Sequence, residues 1–214
     1  MHGKTPSLRR GFTLIELLIV VAIIAILALI AVPNFLEAQI RSKISRAKAD
    51  MRTIKTAMET YYVDNNTYCS DDANPYLQAT GYETLGYIEL TTPIAYLGQG
   101  YIRDPFIRKD RTTVPGMRET DKLEIGTGDT TNVTAGSGGI QDNDRPNRDC
   151  FIIVSCGPDM TDNSQAQAYP HTRENQYQWY DPTNGTVSYG DICRLGGVAT
   201  WLTNHPLCPS DWKQ

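Results

Sequence analysis

From Leu17 to Val32 the chain is an unbroken apolar run, set within the stretch LRRGFTLIELLIVVAIIAILALIAVPNF that spans residues 8 to 35. Counted as a helix from Phe12, the stretch is long enough to cross the roughly 30 Å hydrocarbon core of a bilayer. Leu, Ile, Val and Ala fill every face of it, so it lacks the polar stripe of a surface helix. Arg9 and Arg10 stand before it, and the positive-inside rule then puts the N-terminus in the cytoplasm and most of the chain outside. Glu16 breaks the pattern. A carboxylate a few residues inside an apolar segment is costly, and it marks a functional position with a partner still to be found.

The order of residues around Glu16 carries more information than hydropathy does. Gly11-Phe12-Thr13-Leu14-Ile15-Glu16, with basic residues before the Gly and about twenty apolar residues after the Glu, resembles the class III signal of type IV pilins and type II secretion pseudopilins. The resemblance implies cleavage between Gly11 and Phe12 by a prepilin peptidase, with methylation of the new Phe12 amine. It implies a mature subunit held in the inner membrane and then polymerised into a helical filament of its own copies. An inner-membrane assembly platform and minor pseudopilins would be further partners. Glu16 matches the family's acidic residue, which pairs with the Phe12 amine of a neighbouring subunit, and Pro33 matches the proline near the end of the apolar helix. The physics fits that role, because removing one member of a buried ion pair costs on the order of 3–5 kcal/mol. The competing readings are a plain anchor or a secretory signal peptide. The latter needs a small-residue cleavage site after its apolar region, and Pro33-Asn34-Phe35 offers none.

The expected parts are therefore a leader (1–11), a membrane or filament-core helix (12–35) and a head with the amphipathic half of the helix (36–214). With 214 residues the chain has room for one domain behind the anchor, long enough for a sizeable core. Loss of Lys4, Arg9 and Arg10 with the leader leaves 17 of the 20 basic residues against 24 acidic ones, taking the net charge from −4 to −7. An acidic chain with no basic run argues against nucleic-acid binding as its main task. Cys69, Cys150, Cys156, Cys193 and Cys208 all follow the membrane segment, in a compartment where disulfides persist. None forms a CxxC pair or sits at zinc-ligand spacing from a histidine, so one or two bridges with a thiol left over are expected, with the pairing open.

Residues 34 to 62 continue the helix. Ile40, Ile44, Ala47, Met51, Ile54, Met58 and Tyr61 recur at steps of four and three as one apolar stripe, with Arg41, Lys43, Arg46, Lys48, Asp50, Arg52 and Lys55 on the other faces. A helix from Phe12 to Tyr62 would be about 75 Å long, with Pro33 expected to mark a kink or a melted turn. Asn65-Asn66, Asp71-Asp72 and Asn74-Pro75 are turn residues that end it. Residues 76 to 104 read as short irregular structure, and Asp104-Pro105-Phe106 as a turn with an aromatic plug. The Leu90–Leu97 and DPF segments resemble those between helix and sheet in pseudopilins. Residues 110 to 148, rich in Thr, Gly, Asp and Asn, read as a long exposed loop with a short strand at its base from Val114 and Leu123-Glu124-Ile125. Cys150-Phe151-Ile152-Ile153-Val154-Ser155 is the best strand. Thr186–Tyr189, after the hairpin signal Asn184-Gly185, and Asp191–Leu195 complete a small antiparallel sheet.

The fold class expected is α+β, pilin-like: a long N-terminal helix packed on that sheet, with long loops. Ser155-Cys156-Gly157-Pro158-Asp159 and the later Gly190-Asp191-Ile192 resemble the C-terminal pattern of major pseudopilins, where such turns bind a structural calcium ion. Carried over, the resemblance implies Asp159 and Asp191 as ligands with Ser155 beside them, and Asp162 and Asp181 as further candidates. Calcium accepts six to eight oxygens in loop geometry, which suits this chemistry. The segment between Asp159 and Asp191 is longer than in short pseudopilins and lacks their GlyGly element, and the same aspartates serve equally as turn formers. No EF-hand spacing, nucleotide loop or catalytic triad is present. An anchored enzyme using Asp159 and Asp191 as acid and base lacks a nucleophile and a cofactor motif. The reading is a structural subunit of a periplasmic type II secretion pseudopilus, with a type IV pilin for adhesion, motility or DNA uptake as the alternative.

Overall fold

The computed structural model describes residues 12–70, 85–107, 122–128, 148–161, 180–181, 183 and 188–197. They form two helices and three strands: α1 (Leu14–Asn65), α2 (Leu85–Thr91), β1 (Glu124–Gly128), β2 (Cys150–Ser155) and β3 (Ile192–Gly197). By its contacts the chain divides into two units, Met1–Gln39 and Ile40–Gln214.

The first unit holds the apolar part of α1. Helical structure runs through Pro33 without a break, so the helix does not stop there. Pro33 has no N–H to give the Leu29 carbonyl, a loss the surrounding turns absorb. Every Leu, Ile and Val from Leu14 to Val32 is exposed. The segment is long and apolar enough to cross a membrane by length and composition, which suits a membrane anchor.

In the second unit the apolar stripe of α1 goes inside as the periodicity requires. Ile44, Ala47, Met51, Ile54 and Met58 are buried, joined by Ala57, while Ile40 and Tyr61 pack at the two ends. Thr53, Thr56 and Thr60 turn their hydroxyls back onto the carbonyls of Ala49, Arg52 and Thr56, which lets small polar side chains sit on a helix surface. The helix ends at Asn65, and Asn66 follows in the left-handed region at φ 55° with its N–H donated to the Tyr62 carbonyl. Asparagine tolerates that conformation, so the Asn65-Asn66 stop signal acts through a known terminating geometry.

The sheet has the order β1-β2-β3 and is antiparallel throughout. All six residues of β2 are buried, as its near-continuous β-branched run predicts for a strand covered on both faces. β1 pairs with it from Glu124↔Val154 to Gly128↔Cys150, and β3 from Cys150↔Gly197 to Ser155↔Ile192. Gly196 is obligatory at its position, because a Cβ there would overlap the Phe151 ring. Tyr87, Leu90, Leu97, Ile102, Phe106, Leu123, Ile125, Phe151, Ile153 and Ile192 join the α1 stripe in one core. The chain is thus α+β, a long N-terminal helix with a small antiparallel sheet.

Three expectations change. Residues 85–91, read as irregular, form α2, whose Tyr87 and Leu90 are fully buried. Two turns are too short for apolar periodicity to register, and the helix is held by Glu89, whose carboxylate accepts the Ser70 N–H at 2.6 Å and the Ser70 hydroxyl at 2.7 Å. The stretch read as a long loop contains the full strand β1, which starts one residue after Leu123 and ends three residues beyond Ile125. Its glycines and threonine carry no strand signal, and pairing with β2 supplies the order. Ser188 and Tyr189 are not in a strand. The strand expected at Asp191–Leu195 is present as β3, which begins at Ile192, runs on to Gly197 and pairs with β2. Val114, Asn184-Gly185 and Thr186-Val187 lie outside the described residues.

Candidate functional site

At the start of α1, Thr13 and Glu16 cap the helix reciprocally. The Glu16 Oε2 atom accepts the Thr13 N–H at 2.9 Å and its hydroxyl at 2.7 Å, while the Glu16 N–H points back at Thr13 Oγ1 at 3.3 Å. This is a capping box, and it places a carboxylate where the helix dipole favours negative charge. The lone acid of the apolar segment therefore has a partner within its own chain. Phe12 is 74% exposed beside it. Gly11 lies outside the described residues, and Pro33 sits inside the helix, well beyond this end.

The second region lies where β2 ends. Gly157 at φ 64° and Met160 at φ 56° form a tight turn that aims Asp159 back at the segment before β3. Asp159 Oδ2 accepts the Gly190 N–H at 3.2 Å and Oδ1 accepts the Thr161 N–H at 3.2 Å. Asp191 follows Gly190 and is fully buried. The structure thus brings Asp159 and the Gly190-Asp191 step together across more than thirty residues of sequence, as the paired-turn pattern requires. Asp181 is tied to the same segment by its backbone, since its N–H binds Ser188 Oγ at 2.8 Å and the neighbouring Tyr180 N–H binds the Asp191 carbonyl at 2.9 Å. Its carboxylate, however, is exposed and accepts the N–H and hydroxyl of Thr183, which holds it below the usual carboxylate range. That arrangement is a turn former rather than a ligand aimed inward. Asp162 and Cys208 lie outside the described residues.

Asp104, which the sequence presented only as part of a turn, is the buried acid at the centre. Its Oδ1 atom accepts the Phe106 N–H at 2.8 Å and its Oδ2 atom accepts the Cys156 N–H at 3.0 Å. The Ser155 hydroxyl and the Cys156 thiol also hydrogen-bond to it. Burial pushes its carboxyl above the usual aspartate value, and these donors only partly offset that. Burial, together with the carboxylates of Asp104, Asp191 and Asp159, pushes the Cys156 thiol up as well, so it is a poor nucleophile. Ser155, placed by resemblance beside the ion, is fully buried; besides Asp104, its hydroxyl receives the Gly157 N–H at 3.4 Å. Among the cysteines, 69, 150, 156 and 193 are buried. The register sets Cys150 opposite Gly197 and Cys193 opposite Val154, so these two lie four pairs apart, about 13 Å along the strands, too far for a bridge.

Calcium as the resemblance implies it needs several converging oxygens. Among the described residues no group of three or more His, Cys, Asp or Glu that could hold a metal ion occurs, and both carboxylate oxygens of Asp159 accept backbone N–H groups.

Residues 6–32 match the family described as the prokaryotic N-terminal methylation motif. Among known proteins, the chain is 55% identical over 65 residues to the type IV major pilin protein PilA of Myxococcus xanthus, covering 30% of this chain and 29% of that one. It is 48% identical over 64 residues to the type IV wide pilus major component PilA4 of Thermus thermophilus, covering 30% and 49%. Over 128 residues it is 32% identical to the type II secretion system core protein G of Pectobacterium carotovorum, covering 58% of this chain and 78% of that protein. The chain belongs to the type IV pilin and type II secretion pseudopilin family.

It is pilin-like, and the relatives it matches are major components of type IV pili and a core protein of a type II secretion system. It spans less than half the length of the two pilins it matches at high identity. No solved structure matches it. The pilin-like chain presents its two functional regions in very different ways. The Thr13–Glu16 pair has a sequence signal, the T-x-x-E pattern before an apolar run, which marks Thr13 as well as Glu16. Asp104 had no such signal, because its donors come from Cys156 and Ser155, which folding delivers.

Proposed function

We propose that this pilin-like subunit is a type II secretion pseudopilin, cleaved after Gly11, methylated at Phe12 and polymerised into a periplasmic filament from the inner membrane. The match of 32% over 128 residues, covering 78% of a core protein G, carries this reading, because it reaches far beyond the stretch shared with the two pilins. In this reading the Phe12 amine of an entering subunit meets Glu16 of its neighbour. The capping box supports that step, since it holds the carboxylate at the surface of the helix end with lone pairs to spare. A carboxylate that exchanges one donor set for an ammonium is never left unpaired in lipid, which lowers the barrier to entry. The assembly platform, minor pseudopilins and a prepilin peptidase are the partners it requires.

A surface type IV pilus is the second reading, favoured by the 55% identity to PilA. Intact-mass analysis of native protein from membrane and sheared-surface fractions separates them. A mass corresponding to residues 12–214 plus one methyl, confined to the cell envelope, is the expected result. The same mass in sheared filaments establishes the pilus instead, and an uncleaved chain held only in membranes removes the filament reading.

A further inference from the structure

We propose that a groove between α1 and the outer side of β3 receives an acidic surface of a second copy of this chain. The groove has a volume of about 670 Å³ and is lined by Arg52, Lys55, Thr56, Glu59, Thr60, Val63 and Arg194. The six helical residues recur at steps of three and four, so they make one continuous face of α1, and Arg194 comes from the middle of β3. It rests on the filament reading above and names a contact that such a filament uses.

Three observations point to that occupant. The groove carries three cations and one carboxylate, whereas the whole chain has 20 basic against 24 acidic residues. Glu59 keeps its negative charge while its Oε2 atom accepts the Tyr68 hydroxyl at 2.9 Å, and the three cations still leave the groove with an excess of positive charge. A basic groove on an acidic chain is complementary to the rest of the same chain. Second, β3 is an edge strand among the described residues, paired with β2 on one side only. Lys55 Nζ donates to the Leu195 carbonyl at 3.4 Å, and Arg194 sits beside it. Charges along an edge block strand addition by like strands while leaving the face open to a charged partner. Third, helical polymers grow by heterologous contacts, in which one surface of a subunit meets a different surface of the next. Every subunit then needs two unlike, complementary patches, and this groove is a candidate for the basic one.

The test uses the full chain in cells that assemble it. Val63, 81% exposed at the groove, is replaced by p-benzoylphenylalanine and intact filaments are irradiated. The expected product is a dimer of this chain cross-linked to a peptide rich in Asp or Glu. Adding Arg52→Glu is expected to lower the dimer yield about tenfold, the size of effect a lost interfacial charge pair gives, with subunit abundance in the membrane unchanged. Filaments that form without intermolecular cross-links, or that cross-link to a different protein, overturn the groove contact and leave the filament reading standing. A dimer indifferent to Arg52→Glu overturns the charge basis and with it the proposal. Absence of any filament from the unsubstituted chain overturns both.

Discussion

The two units of the chain solve opposite problems with the same residue types. From Leu14 to Val32, Leu, Ile and Val are exposed, whereas Ile44, Ala47, Met51, Ile54, Ala57 and Met58 of the same helix are buried. The sole acid of the first unit's apolar stretch is satisfied by residues three positions away. The central acid of the second, Asp104, is satisfied by a residue 52 positions away. The first unit is thus complete as local helix and lacks only an environment. The second is built through long-range contacts.

That contrast can be broken or sharpened in turn. Glu16→Ala is expected to abolish filaments outright while leaving the melting temperature of the head unchanged, as read by electron microscopy and by a thermal scan in detergent. A head that melted with the substitution would mean that the units are not separate in stability. In the second unit Phe151→Ala should cost about 3–5 kcal/mol, because Phe151 is fully buried against Tyr68 and Gly196; chemical denaturation measures it. Asp104→Asn should cost about 1–3 kcal/mol, since the amide would turn a donor toward the N–H of Phe106 or Cys156. The pH dependence has a definite sign. Burial raises the Asp104 carboxyl above 3.8 in the folded state, so the native form holds its proton more tightly than the unfolded chain. Its contribution to stability is full below 3.8 and lost as pH climbs through the raised value. The Asn variant should lack that component, and an identical pH profile in both proteins would assign it to another group. Smaller still, EDTA should lower the melting temperature by several degrees if Asp159 and Asp191 hold calcium, since about 1 kcal/mol is worth 2–4 °C at this size. An unchanged curve removes the ion.

What the sequence made legible follows the same division. Local patterns, such as the apolar run, the α1 stripe, the Asn65-Asn66 stop and the β-branched run of β2, are periodicities that one chain segment states by itself. The aromatic plug was legible too, for Phe106 is buried in the core. β1 was only partly legible because Gly126, Thr127 and Gly128 have no strand preference and take it from β2. α2 is two turns long and is fastened by Glu89 to Ser70, a contact with no signature in either segment. At the acidic corner the paired turns suggested Asp159 and Asp191, and the structure does bring Asp159 to Gly190. The pattern was silent on Asp104, whose importance lies wholly in what folds around it.

The bond from Lys55 to the Leu195 carbonyl, 140 residues apart, has a consequence for the timetable of synthesis. At about 5–20 residues per second, the ribosome finishes the buried face of α1 roughly 7 to 28 s before the strand that meets it exists. For that interval Met51, Ile54 and Met58 are a second greasy stretch directly behind the first. For those seconds the future core of the head is as bare as the anchor.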